Sequence, residues 1–369
     1  MVSRWEGTYM IVGAVLGVLL LSQGFQGTRS FETAALGTMT VSHYAKDLNG
    51  NSNHTERANP EEIEPLLNQL TNKTRHILIL GNSQTHSINQ KKHGQTVYPE
   101  LLSKTLDSAT AVLTHSMPNA NFQEFRVSHS WWSEKRDWDL ILIPAFMDDL
   151  REDGLRKDFL KAPVAEGHQL ASESKLSTFL NAQLERLTNP PSEAGSESKQ
   201  NTPQDITEQA INDWLSEHTS IWRNRSNARG DLFLSLYELR NKAFGITAST
   251  PRKMIPARYN RNIEALSNLL DHATSIGQRI ILYIPPIRTD VPPPYDAKEY
   301  SQFKTTIESM AERHTLIRFA NLENTVPGEY WGLKSSTDGD GKPELDYMHF
   351  QFKGHQLLAG ALENEIRKR

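Results

Sequence analysis

The sequence predicts an α/β fold built on a mostly parallel sheet of about five strands. Segments with helical spacing separate the predicted strands, most clearly from Tyr259 to Ile276. Strands that are covered by helices on both faces are typically short, nearly continuous apolar runs. Five such runs occur, at residues 75–80, 111–114, 139–144, 279–284 and 315–319. Alternating strands and helices favour a parallel sheet whose functional loops follow the carboxyl ends of the strands.

Length and composition exclude several classes of protein. The chain has 369 residues, which is enough for one large domain or for a domain with a sizeable insertion. Its formal net charge is −4 and no long basic block occurs, so nucleic acid is not an expected partner. The absence of cysteine excludes disulfides, thiolate metal sites and a cysteine nucleophile. We expect neither a metal site nor an organic cofactor.

The N-terminus contains an uninterrupted apolar segment, Tyr9 to Leu21, with Arg4 before it. The segment is shorter than the roughly 17–25 residues usual for a membrane span, although residues 22–25 extend it. We interpret residues 1–25 as a hydrophobic anchor or signal; a cleaved signal and a buried core helix are the alternatives. Because Arg4 favours an inside N-terminus, the main domain is expected outside the cytoplasm, anchored to the membrane or, if cleaved, secreted.

The remaining chain divides into a tether and a domain. Residues 26–58 are polar and rich in Thr, Ser and Asn, which predicts a polar tether, and residues 59–369 form the predicted domain. The stretch from about 150 to 245 interrupts the alternation of strands and helices and includes a low-complexity run at 189–200. It is predicted to be a helical and low-complexity insertion. Two interpretations stay open: a cover over the functional site, or a helical pad packed on the sheet.

Two distant segments provide a candidate nucleophile and its base. Ser83 directly follows the first predicted strand and a glycine, a position that exposes a hydroxyl on a sharp turn. Asp346 and His349 lie three residues apart, so that Asp346 can accept a hydrogen bond from Nδ1 and leave Nε2 for the serine. The alternatives are that Ser83 only caps a helix and that His355 is the base. His86 is expected to be an ordinary solvated histidine.

These residues, in this order, resemble the SGNH/GDSL hydrolase superfamily, in which the nucleophile comes first and D-x-x-H last. The resemblance covers roughly Arg75 to the C-terminus without the insertion, and Asn82 replaces the usual Asp beside the nucleophile. It implies a flavodoxin-like three-layer α/β/α sandwich with Ser83, Asp346 and His349 as catalytic residues. It also implies a serine hydrolase that works through an acyl-serine intermediate.

The resemblance further implies an oxyanion hole, for which Ser83, Ser116 and Asn119 are the candidates. Ser116 stands where the family often has a glycine. The third family block, G-x-N-D, is matched least well, because Asp148 takes the position of the asparagine that donates a side-chain N–H. A carboxylate at that position repels the developing negative charge unless it is protonated or turned away.

Within the superfamily, the layout is similar to the membrane-anchored branch that includes the D-alanyl-lipoteichoic-acid transfer protein and the alginate O-acetylation proteins. This similarity implies an extracytoplasmic esterase or O-acyltransferase that acts on acyl esters of a cell-envelope or exported polysaccharide. It implies acylated carbohydrate as substrate and a membrane-bound O-acyltransferase as partner. The alternative function is a non-catalytic, membrane-tethered assembly factor for such an acyltransferase.

Overall fold

The computed structural model describes residues 39–171, 174–189, 239–337 and 341–368. The chain divides into two compact units, and the larger comprises Met39–Pro191, Ala248–Lys334 and Pro343–Arg369. The predicted anchor at 1–25 and the helical pattern from Ile206 lie outside the described residues. Within the described ranges, no helix is both long and apolar enough to cross a membrane.

The larger unit is built on a six-stranded sheet in which every neighbouring pair of strands is parallel. Its strands are β2 (His54–Thr55), β3 (Arg75–Gly81), β5 (Thr110–Ser116), β6 (Leu140–Pro144), β7 (Ile280–Ile284) and β8 (Ile317–Asn321). They lie in the order β2-β5-β3-β6-β7-β8. Apart from β2, this is the flavodoxin-like order 2-1-3-4-5. The predicted α/β fold and its five longer strands are confirmed, with one additional strand at the edge.

Helices cover both faces of this sheet. The helices of the larger unit are α1 (Pro60–Asn68), α2 (Ser83–His86), α3 (Tyr98–Thr105), α4 (Phe122–Lys135), α5 (Lys161–Ala165), α6 (Lys175–Thr188), α7 (Pro256–Ser275), α8 (Ala297–Ala311) and α9 (Phe352–Arg367). Because side chains alternate along a strand, Leu78 and Leu80 of β3 pack with α4 and α7, whereas Ile77 and Ile79 pack with α3 and α9. The result is the predicted three-layer sandwich.

The segment at residues 26–58 was predicted to be a polar tether, but its described part contains two short strands of the larger unit. Strand β1 (Thr40–Ser42) pairs antiparallel with β4 (Ser87–Asn89), and β2 lies beside β5 in the central sheet. The chain therefore joins the larger unit from residue 39 onward. These strands are two or three residues long and mostly polar, so they form no apolar run, and long-range pairing holds them in place.

The described part of the predicted insertion packs against the sheet unit. In α6, Leu176, Leu180 and Leu184 are buried in the same apolar cluster as β3 and β6. This part therefore has the geometry of a helical pad. The low-complexity run after residue 189 and the following helical pattern are not described, so the proposed cover over the site stays a prediction.

Another two-stranded sheet, separate from that of β1 and β4, contains Asp346 and His349. Strand β9 (Trp331–Lys334) pairs antiparallel with β10 (Glu344–Phe350), and the register shifts between Leu345 and Phe350. Such irregularities re-aim side chains. Asp346 and His349 both lie within the irregular part of β10.

Candidate active site

Ser83 is the first residue of the short helix α2, directly beyond β3. The side chain of Asn82 caps this helix by accepting a hydrogen bond of 3.1 Å from the backbone N–H of Gln84. Gly81 permits the tight turn, since a Cβ atom at that position would collide with the side chain of Thr85. The turn leaves Ser83 half-buried, with its hydroxyl at the carboxyl end of a central strand.

His349 and Asp346 continue a hydrogen-bonded chain from this serine. The hydroxyl of Ser83 lies 3.1 Å from Nε2 of His349, and Nδ1 of His349 lies 3.2 Å from Oδ2 of Asp346. The other carboxylate oxygen of Asp346 accepts from the backbone N–H groups of Met348, at 2.8 Å, and of His349, at 3.0 Å. The three predicted residues therefore meet in the order that nucleophile, base and orienter require.

Two residues from the N-terminal part of the unit also support Asp346. Thr40 Oγ1 donates to Oδ2 of Asp346 at 3.3 Å, and Nδ2 of Asn89 donates to the same oxygen at 3.1 Å. Asp346 is only 2% exposed. Burial by itself raises the pKa of this carboxyl, but the charge of His349 and the hydrogen bonds that the carboxyl accepts lower the pKa to about 2. Asp346 therefore stays ionised.

Gln84 joins the turn of Ser83 to the segment that carries His349. Its Nε2 donates to the carbonyl oxygens of Met348 and Pro286, each at 3.0 Å. The side chain is buried. One amide group next to Ser83 is thus held by a carbonyl of β10 and by a carbonyl in the segment after β7.

A cavity of about 20 Å³ lies beside Ser83. It is lined by Asn82, Ser83, Gln84, Asn119, Phe146, Asp148, Asp149 and Met348. Two of the sequence candidates, Asn119 and Asp148, thus lie beside Ser83. Asn119 is exposed and has a positive φ of 54°, a left-handed conformation that asparagine tolerates better than most residues.

Ser116, the remaining oxyanion candidate, does not line this cavity. It ends β5 and is fully buried, and its hydroxyl shares a hydrogen bond of 2.8 Å with Nδ1 of His86. His86 is itself fully buried, in contrast to the solvated histidine expected from the sequence. Burial and the charge of nearby His349 lower the pKa of His86 to about 3. The two side chains therefore form an uncharged hydrogen-bonded pair next to the turn of Ser83.

Asp148 is turned toward cations. It forms an ion pair with Arg252, and Nη1 of Arg151 lies 3.6 Å from its other oxygen. Arg252 was not among the sequence candidates. It is 104 positions from Asp148 in a segment without a recognisable motif, so no local signal indicated it.

His355, the rival base, is unsuited to that role. It is fully buried, its Nδ1 accepts from the backbone N–H of Tyr98 at 3.2 Å, and its Nε2 donates to the carbonyl of Ser87 at 3.2 Å. Both ring nitrogens are therefore occupied away from Ser83. Burial lowers the pKa of His355 to about 3.

Among the described residues, no group of three or more His, Cys, Asp or Glu side chains is able to hold a metal ion.

Comparisons with known proteins give only distant similarities. No protein-family model matches the sequence, and a search of curated proteins finds no match. Among solved structures, the acetylxylan esterase Axe2 from Geobacillus stearothermophilus is similar over 80% of this chain and 96% of its own, with 11% identity and a TM-score of 0.38. A putative acylhydrolase from Bacteroides fragilis NCTC 9343 is similar over 85% of this chain and 98% of its own, with 11% identity and a TM-score of 0.39.

Proposed function

We propose that the protein is a serine ester hydrolase or O-acyltransferase in which Ser83 is the nucleophile, His349 the general base and Asp346 the residue that orients the base. The observation that carries this proposal is the unbroken hydrogen-bonded chain from Ser83 through His349 to Asp346. Its residues come from two segments more than 260 positions apart, since Ser83 and His349 differ by 266. If Ser83 only capped a helix, contacts with His349 and, through it, with Asp346 would not be needed.

In the acylation step, Nε2 of His349 takes the proton of Ser83 while Oγ forms a bond to the carbonyl carbon of the ester. The imidazolium that results is stabilised by ionised Asp346. When the bond to the leaving alcohol breaks, His349 gives its proton to that oxygen. The products of this half-reaction are the free alcohol and an ester of Ser83.

In the second step, a hydroxyl compound resolves the acyl-enzyme. His349 removes its proton, the oxygen attacks the acyl carbon, and Ser83 recovers its proton as the leaving group. Water as the acceptor gives hydrolysis and a sugar hydroxyl gives transfer. Both outcomes use the same residues.

The carbonyl oxygen becomes negatively charged in both steps and requires donors. The backbone N–H of Ser83 is in the first turn of α2, where a helix supplies no acceptor for it. Asn119 lines the cavity at the nucleophile and has a side-chain amide. We propose that these two groups are donors to the oxyanion.

We also propose that the ester belongs to a carbohydrate polymer outside the cytoplasm, with a membrane-bound O-acyltransferase as partner. The apolar segment from Tyr9 to Leu21 and the similarity of the motifs to the polysaccharide-acylating branch support this part. If the segment is an anchor, the protein should fractionate with membranes and keep residues 1–21. A soluble form that begins between residues 22 and 40 would overturn the anchor.

A fluorophosphonate probe tests the catalytic assignment directly, because it reacts with activated serines. We expect wild-type protein to be labelled at Ser83 and Ser83→Ala to be unlabelled. Ser87→Ala is the matched control: Ser87 lies four residues away, and its buried hydroxyl has no hydrogen-bond partner among the described residues. If folded wild-type protein is not labelled by the probe and hydrolyses no acetyl ester, the assignment as an enzyme is contradicted. The alternative, a non-catalytic assembly factor for an acyltransferase, is then favoured.

A further inference from the structure

The cavity beside Ser83 is lined by a second carboxyl group, Asp149, which has no part in the acylation and deacylation steps. Asp149 follows Asp148 directly but differs in its surroundings. Asp148 faces two arginines, whereas Asp149 is only 5% exposed and forms no ion pair with any described residue. A carboxylate buried without a cation is unfavourable, so such a group tends to hold its proton.

Among the described residues, the side chain of Asp149 forms one hydrogen bond, and its polarity is fixed. Nδ2 of Asn82 donates to Oδ2 of Asp149 at 2.7 Å. The amide of Asn82 cannot be reversed, because its oxygen already accepts from the backbone N–H of Gln84. Oδ2 of Asp149 is therefore an acceptor. The other oxygen, Oδ1, has no hydrogen-bond partner among the described residues.

We propose that Asp149 is a further catalytic residue: as a neutral carboxylic acid, it donates the O–H of its free oxygen to the oxyanion formed at Ser83. The inference rests on the proposed function and deepens it. The family resemblance implies a hydrogen-bond donor to the oxyanion at the position of Asp148, whose carboxylate has no hydrogen to donate. Asp149 would supply that donor instead. This donor role also accounts for Asn82, since an aspartate there would place a second carboxyl group against Asp149.

The charged groups around Asp149 are compatible with a retained proton. Burial is the largest influence and raises the pKa of Asp149 well above its ordinary value, and the charges of Asp148 and Glu152 raise it further. The hydrogen bond from Asn82 and the charge of Arg156 act in the opposite direction.

Arg156, the cation among these groups, is already engaged. Its Nε lies 2.8 Å from Oε1 of buried Glu124, and its Nη2 lies 2.6 Å from Oε2 of the same residue. The guanidinium is thus not a partner that would keep Asp149 ionised.

Two variants of nearly identical volume test the polarity of this arrangement. In Asp149→Asn, the new amide oxygen accepts from Asn82 and its NH₂ group takes the place of the acid O–H, so a donor is kept. We expect turnover of an acetyl ester within about tenfold of wild type. In the double variant, Asn82→Asp combined with Asp149→Asn, the amide donates to the new carboxylate at position 82 instead and its oxygen faces the cavity. Turnover should then fall at least about a hundredfold, the cost of losing one oxyanion donor.

The outcomes separate this inference from the proposed function. If wild-type Ser83 is labelled by the fluorophosphonate and the double variant is as active as Asp149→Asn, the donor role of Asp149 is wrong while the serine site stands. If wild-type Ser83 is neither labelled nor active, both proposals fall.

An infrared difference spectrum, wild type minus Asp149→Asn at pH 7, keeps the inference testable without turnover. It should contain the carbonyl band of a protonated carboxylic acid. A carboxylate band in its place overturns the proposal. If the double variant fails to fold, this spectrum and the turnover of Asp149→Asn test whether Asp149 is a protonated donor.

Discussion

Thr40 and Asp346 are 306 positions apart in the sequence, yet the hydroxyl of Thr40 donates a 3.3 Å hydrogen bond to the carboxylate that contacts Nδ1 of His349. Thr40 begins β1, which is held in place by pairing with β4 just beyond the nucleophile helix. Asn89, at the end of β4, donates to Thr40 Oγ1 at 2.8 Å as well as to Asp346. The polar segment ahead of the sheet therefore supports the proposed active site through Asp346.

Thr40→Val removes this hydroxyl with little change in volume. Hydrogen bonds to charged groups contribute about 1.5–3 kcal/mol, and the length of this one favours the lower end, so we expect kcat to fall about tenfold with KM little changed. Ser42→Ala is the matched control, because Ser42 is an exposed residue at the other end of the same strand. Equal kcat values for Thr40→Val and wild type would show that β1 does not support Asp346.

Asp346→Asn tests the orientation of the base. The NH₂ group of asparagine, turned toward His349, requires Nδ1 to accept, so the ring proton moves to Nε2 and the serine loses its acceptor. In a serine protease triad the corresponding change lowers kcat by about 10⁴, and we expect a loss of that order here. The measurement is steady-state turnover of an acetyl ester, with thermal unfolding to verify the fold. A loss below about tenfold would contradict the assigned role.

The sequence predicted the parts of the fold that have a local signature. The five longer strands are nearly continuous apolar runs because helices cover both faces of the sheet, and each lies within two residues of its predicted start. β1 and β2 have no such signature. They consist of two or three mostly polar residues whose positions depend on partners far along the chain, which a local pattern does not contain.

The candidate site shows the same division. Ser83, Asp346 and His349 could be proposed because each lies in a short motif. Thr40 and Arg252 could not, because the contact that brings each to the site is with a residue more than 100 positions away, at separations of 306 and 104. The prediction that His86 is solvated was wrong, because the burial of His86 depends on how α2 packs against β5.

Stability should depend on pH through buried histidines. Burial lowers the pKa of His86, His115 and His355 to about 3, whereas unfolded histidine titrates near 6.5. Below pH 6.5 the unfolded chain therefore binds protons that the folded chain does not, and stability present above pH 6.5 is lost as pH falls toward 3. Asp346 contributes to the pH dependence of stability only at lower pH, since its pKa in the folded state, about 2, lies below its value in the unfolded chain.

Each such histidine changes the free energy of unfolding by about 1.4 kcal/mol per pH unit in that window. Denaturant unfolding at several pH values between 7.5 and 5 measures the slope. His115→Gln should reduce the slope of the unfolding free energy against pH by the contribution of one proton, about 1.4 kcal/mol per pH unit. This holds whatever the effect of the substitution on stability at pH 7.5. A free energy of unfolding that is constant from pH 7.5 to 5 would refute the prediction.

The Asp148–Arg252 pair allows stability and turnover to be separated. Asp148→Asn should not impair acyl-ester turnover and is expected to raise it, because asparagine brings an N–H donor where a carboxylate offers acceptors. One good hydrogen bond to the oxyanion is worth on the order of 2–3 kcal/mol in the transition state. The change also breaks the ion pair with Arg252, whose side chain is 25% exposed, so a loss of about 1 kcal/mol in stability should accompany it.

Arg252→Gln is the matched variant, since it breaks the same ion pair but leaves the carboxylate at the cavity. Its stability should resemble that of Asp148→Asn, whereas its turnover should fall. Among the described residues, the carboxylate then keeps only Arg151, at 3.6 Å, as a cation, and the less compensated negative charge near the oxyanion raises the barrier. Thermal unfolding and steady-state kinetics of both variants therefore distinguish electrostatics at the site from simple loss of a contact. If Asp148→Asn stays folded but loses activity, Asp148 has a positive role, such as binding the acceptor sugar, and the match to the third family block is wrong in function.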